Sequence, residues 1–78
     1  MTVHVSAFTE QRPQHPFTKK QWECVLWASY GKTSSETGVI TGYNSRSVER
    51  RLKEAMERAD VVNKTGLVAK AIREGWID

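Results

Sequence analysis

The 78 residues contain one cysteine, Cys24, and two histidines, His4 and His15. A single thiol excludes an internal disulfide, and these three side chains do not stand at zinc-site spacing. Neither a metal nor a cofactor is expected. Apolar runs are short too: none reaches the eighteen residues of a membrane span, and residues 1–16 lack the charged-then-apolar order of a secretory signal. These absences point to a cytoplasmic protein. Enzyme machinery is equally thin. Cys24 lies on the apolar side of its helical segment with neither histidine near it, and no paired carboxylates or glycine-rich phosphate loop are present. Gly31-Lys32-Thr33 matches only the end of such a loop, without its upstream glycine or preceding strand, so no enzyme is expected.

What is present suits one small globule. Two prolines, five glycines and 38% hydrophobic residues are ordinary values. A chain this short closes a single thin core, burying about 60% of its unfolded surface. The net charge of +3 is modest, with an isoelectric point near 9.3, but it is concentrated. Lys32, Arg46, Arg50, Arg51, Lys53 and Arg58 all lie within residues 31–59, whereas three basic and three acidic residues balance over 60–78. A polyanion such as nucleic acid is the partner such a distribution favours.

Residues 1–16, with Pro13 and Pro16 and no sustained periodicity, read as a flexible lead-in to a domain over 17–78. The alternation of Val3, Val5 and Ala7 would be a strand without a partner and is read as disordered. Thr18 and Gln21 form a capping box, with Phe17 and Trp22 at the positions of a hydrophobic staple. The first helix follows, its apolar surface built from Trp22, Cys24, Val25, Leu26, Trp27, Ala28 and Tyr30 until Gly31 stops it. Thr33 and Glu36 form a second capping box, opening a helix of barely two turns that Gly42 closes. After Gly42-Tyr43-Asn44, Val48, Leu52, Ala55, Met56 and Ala59 make one apolar stripe over about four turns. Arg46, Arg50, Lys53 and Glu57 occupy its opposite face. Asp60 to Asn63 interrupts, Asn63 caps again, and a last helix runs to Gly75.

A short helix, a three-residue turn containing glycine and a longer amphipathic helix with a basic outer face make the outline of a helix-turn-helix. A duplex carries dense negative charge, so a helix lying in its major groove needs arginine and lysine for phosphates and base edges. Arg46, Arg50 and Lys53 share a face that meets this need. The same face, with Glu49, Glu54 and Glu57, also suits plain solvation, and periodicity does not separate the two.

The chain resembles the LuxR-type (GerE-like) helix-turn-helix family, without gaps from Phe17 to Ile77. The resemblance rests on Phe17-Thr18, Glu23, Trp27-Ala28, Gly31-Lys32-Thr33, Glu36, Val48, Leu52, Asn63-Lys64 and the run from Val68-Ala69-Lys70-Ala71 to Gly75. Tyr43-Asn44-Ser45, Leu52 to Met56 and Asp60-Val61 make it similar to the quorum-sensing LuxR and TraR regulators. The resemblance implies an all-α, four-helix domain whose third helix reads the major groove and whose fourth pairs two subunits. It implies phosphate contacts at Lys32, Thr33, Ser34 and Lys64, and free amides at the helix start near Thr33 would suit an anion. Base-reading positions are implied at Arg46, Glu49, Arg50 and Lys53, with Ser45 and Ser47 nearer the backbone. Glu49 could accept from a cytosine amino group or oppose the phosphates. Arg51, where the family commonly has histidine, is expected at a phosphate on the groove's edge. The dimer contact is implied at Leu67, Val68, Ala71 and Ile72, in two seams of which only one is needed for the core.

Two departures carry expectations of their own. Thr37, Gly38 and Thr41 replace apolar or small helix formers, and a helical glycine costs about 1 kcal/mol relative to alanine, so the second helix is expected to be loose. Family members usually carry an N-terminal sensor domain, which the residues before Phe17 could not form, so direct sensing of a small molecule is not expected. Two functions remain: a stand-alone regulator that binds double-stranded DNA as a homodimer, or an interaction module that pairs with and modulates a full-length LuxR-type regulator.

Overall fold

Hydrogen bonds that a helix cannot make for itself decide where this chain's helices begin and end. In the computed structural model, which describes residues 14–78, four helices form: α1 (Lys19–Ser29), α2 (Ser34–Thr41), α3 (Ser45–Ala59) and α4 (Lys64–Arg73). No strand is present among the described residues, and the expected all-α, four-helix class is the one that forms. The lead-in read over 1–16 lies outside the described residues except for 14–16, as does the alternation of Val3, Val5 and Ala7.

Every first turn finds its cap. Thr18 accepts from the Gln21 amide at 3.2 Å while the Gln21 side chain accepts from the Thr18 amide at 3.0 Å, and Thr33 with Glu36 repeats the exchange at 3.1 and 2.9 Å. Asn44 and Asn63 each accept from the amide three residues on, at 2.8 and 2.7 Å. Such caps satisfy donors that the helix leaves unpaired. At the other end of α1, Gly31 turns left-handed at φ +81°. Its amide and that of Lys32 then reach back to Ala28 and Trp27 in a Schellman closure. The corresponding stop of α3 falls on Asp60 at φ +59°, a residue type that tolerates this region better than most.

α1 lies across α3 and α4, and α2 is held mainly by α3. Cys24, Val25 and Ala28 of α1 meet Val48, Leu52, Ala55 and Ala59 of α3 and Leu67 and Ala71 of α4, with Phe17 and Ile77 closing the core. Four of the expected α3 stripe positions are buried and Met56 is half-buried. Burial pushes the Cys24 thiol up, against the pull of the Arg51 guanidinium. Tyr30, counted with the apolar surface of α1, is exposed instead, its ring tilted against Trp27.

Three further bonds lock the frame. The buried Gln21 amide donates to Glu54 of α3 at 3.2 Å, the Trp22 indole donates to the Trp76 carbonyl at 2.8 Å, and Lys70 donates to the Ala59 carbonyl at 2.7 Å. His15 and Pro16 are held as well: Arg58 donates to the Pro16 carbonyl at 2.9 Å, and the His15 ring stacks on Phe17 and Trp22.

The second helix differs from its expectation. Gly38 is buried, and a Cβ added there would lie 2.5 Å from the Tyr43 carbonyl oxygen. Thr37 is also buried, and the Thr41 hydroxyl donates to the Thr37 carbonyl at 2.7 Å while accepting from the Tyr43 amide at 3.3 Å. The residues read as loosening α2 are those that let it seat against the turn.

Candidate nucleic-acid interface

Val48, Leu52, Ala55 and Ala59 turn one side of α3 into the core, which fixes what the other side presents. At about 100° per residue, Arg46, Arg50 and Lys53 fall within a sector of roughly 60° centred away from that stripe, and all three are exposed. They span about 10 Å of helix axis, comparable to the roughly 12 Å width of a major groove. Among the described residues Arg50 pairs with Glu54, at 4.0 Å with both side chains well exposed. A pair of this kind is worth about 0.3–0.5 kcal/mol and leaves the guanidinium available to a stronger anion. Glu49 is exposed beside this sector, Ser45 is exposed at the helix start and Ser47 is half-buried under its own turn.

Arg51 packs on an aromatic ring of the turn. Its guanidinium carbon lies 4.6 Å from the centroid of the Tyr43 ring, and the residue is half-buried. The Tyr43 hydroxyl donates to Glu23 of α1, and Lys20 sits 5.8 Å from the same ring. The Glu23 acceptor, with desolvation added, pushes the Tyr43 phenol up. Glu23 and Tyr43 stand far apart in the chain, and only the fold brings them together.

Two further cations line a cleft between the α1–α2 loop and the start of α4. Lys32 and Thr33 of the α1–α2 loop and Lys64 at the start of α4 line one open cleft of about 520 Å³, whose apolar floor includes Ala28, Val68 and Ile72. Ser34 is half-buried beside it. The amides expected to be free here are partly used, since Thr33 N–H donates to Glu36 and Glu36 N–H donates to Thr33. The Thr33 amide holds the Glu36 carboxyl below the usual carboxylate range. An anion at this corner would therefore rely on the lysines more than on those two amides.

α4 separates its two seams. Leu67 and Ala71 are completely buried, whereas Ile72 is 51% exposed and Val68 is half-buried. Leu67 and Ala71, assigned above to a subunit contact, belong to the protomer's own core, because α1 and α3 already cover that side. Val68 and Ile72 are the seam left outside.

No helix of the described residues is long and apolar enough to cross a membrane. No protein-family model matches the chain. Individual proteins do. The chain is 40% identical over 60 residues to the HTH-type quorum sensing-dependent transcriptional regulator RpaR of Rhodopseudomonas palustris, covering 77% of this chain and 25% of that protein. It is 33% identical over 67 residues to the transcriptional activator protein LuxR of Aliivibrio fischeri, covering 86% and 27%. To the transcriptional activator protein TraR of Rhizobium radiobacter it is 45% identical over 58 residues, covering 74% and 25%. The chain thus spans about a quarter of the length of the curated relatives it matches.

Proposed function

We propose that this chain, a homologue of the LuxR/TraR-type regulators over about a quarter of their length, regulates transcription by binding duplex DNA. The observation that carries the reading is the exposed Arg46, Arg50 and Lys53 sector opposite the buried stripe of α3. α3 enters the major groove, where those side chains reach base edges and phosphates. Lys32 and Lys64, with Thr33 and Ser34 beside them, hold the backbone at the far end of the footprint. Glu49 accepts from a cytosine amino group and restricts the site, and Ser45 and Ser47 meet the adjoining backbone. A quorum-sensing setting for that regulation is the reading that the printed name of the RpaR relative supports.

Two copies bind one roughly palindromic site, paired through Val68 and Ile72 of α4, and the domain suffices for this on its own. The alternative occupant of that seam is a longer LuxR-type regulator, in which case the chain modulates the other protein.

A salt titration tests the proposal. Phosphate contacts by Lys32 and Lys64 alone give an expected slope of log affinity against log salt near −1.8 per protomer, and contacts by Arg46, Arg50 and Lys53 to phosphates steepen it toward −4.5, at about 0.9 per neutralised phosphate. A steep slope with two protomers per site supports the homodimer. No duplex binding at low salt, together with capture of a full-length regulator, supports the alternative.

A further inference from the structure

Tyr43 is the last residue before the Asn44 cap of α3 and is gripped on three sides. Its carbonyl lies against Gly38 of α2, so closely that no Cβ fits between them. Its hydroxyl donates to Glu23 of α1. Its ring carries the Arg51 guanidinium at 4.6 Å, with the Lys20 ammonium at 5.8 Å. The charged groups facing the ring and hydroxyl are thus Glu23 and Lys20 from α1 and Arg51 from α3, with the Cys24 thiol behind them. A cation over an aromatic face is attracted by the ring quadrupole, and a guanidinium adds planar stacking that an ammonium lacks. Together these contacts tie the first two turns of α3 to both other helices of the motif.

We propose that Tyr43 and Arg51 are specificity-determining positioning residues: Arg51, clamped on Tyr43 and steered by Glu23, fixes the angle at which α3 presents Arg46 and Arg50, and is not itself a phosphate contact. The inference rests on the DNA-binding reading above. Base edges are read only by side chains held to within about 0.5 Å of the productive geometry, whereas phosphate contacts carry no sequence information. Loosening this joint therefore costs discrimination between sequences before it costs general affinity.

The experiment compares the best duplex selected from a random pool with a random duplex, over a salt series, for the wild type, Tyr43→Phe, Arg51→Ala and Arg51→Lys. Circular dichroism melts establish that each variant is folded at the assay temperature, and Tyr43→Phe keeps the ring should the Arg51 variants melt early. The specific-to-random ratio is expected to fall by roughly tenfold in Arg51→Ala, on the order of one lost base contact. A smaller fall is expected in Tyr43→Phe, with the salt slope unchanged in each and no rescue by Arg51→Lys. A slope reduced by about 0.9 in Arg51→Ala and restored by lysine would make Arg51 a phosphate contact and overturn the inference. Equal losses on both duplexes would reduce the joint to general stability and overturn it too. Wild-type binding with an unaltered ratio in every variant defeats this inference alone; absence of wild-type binding defeats the DNA-binding reading and the inference with it.

Discussion

Gly38 and Tyr43 meet backbone to backbone: the space a Cβ would need at position 38 is 2.5 Å from the Tyr43 carbonyl oxygen. Helix propensity favours alanine over glycine by about 1 kcal/mol, so Gly38→Ala would stabilise an isolated α2. Here the obstructing atom belongs to the turn itself and cannot swing aside. We expect Gly38→Ala to destabilise the domain by about 1–3 kcal/mol, the usual cost of overpacking, as read by denaturant unfolding. A neutral or stabilising result would mean that α2 shifts freely against the turn.

The same glycine marks where sequence reasoning stops. The capping boxes of Thr18 with Gln21 and Thr33 with Glu36 were readable because cap and partner lie three residues apart. The α3 stripe was readable because one helix has one period. Gly38 looked like a weakness because propensity is local, while the close approach that requires it is tertiary. The contact of Arg51 with Tyr43, and of Tyr43 with Glu23, was not readable because these residues lie on different segments and no spacing rule connects them. The Leu67–Ala71 and Val68–Ile72 seams share the same helical spacing, so only the packing of α1 and α3 distinguishes inside from outside. Lys32 and Lys64 lie far apart in the chain, and their common cleft appears only in the fold.

Tyr43 gives a pH-dependent signature. Glu23 accepts from the neutral phenol, raising its folded pKa above the ordinary value near 10. The bond's contribution to stability is fully present below that ordinary value and is lost as pH rises through the folded pKa. Subtracting the phenolate absorbance titration of Tyr43→Phe from that of the wild type isolates this group. The difference curve should have its midpoint above the ordinary range, and Tyr43→Phe should blunt the alkaline loss of stability. A difference midpoint at or below 10 would contradict the Glu23 contact.

The two seams of α4 should respond in opposite ways. Leu67→Ala removes a fully buried side chain and should cost about 2–5 kcal/mol of stability. Ile72→Ala trims a side chain that is 51% exposed and should change protomer stability by less than about 1 kcal/mol, while reducing the stoichiometry on a palindromic duplex from two protomers to one. Equilibrium unfolding and sedimentation of the DNA complex separate these effects. Dimeric binding by Ile72→Ala and Val68→Ala together would place the subunit contact elsewhere.

The most direct measurement is duplex affinity of the folded triple variant Arg46→Ala, Arg50→Ala, Lys53→Ala beside the wild type. If the cationic sector of α3 enters a groove, affinity for a selected site falls on the order of a hundredfold or more and sequence preference disappears with it. The salt slope flattens by about 0.9 for each phosphate contact removed. Undiminished affinity and preference in a variant with an unchanged helical spectrum would show that this face merely meets water.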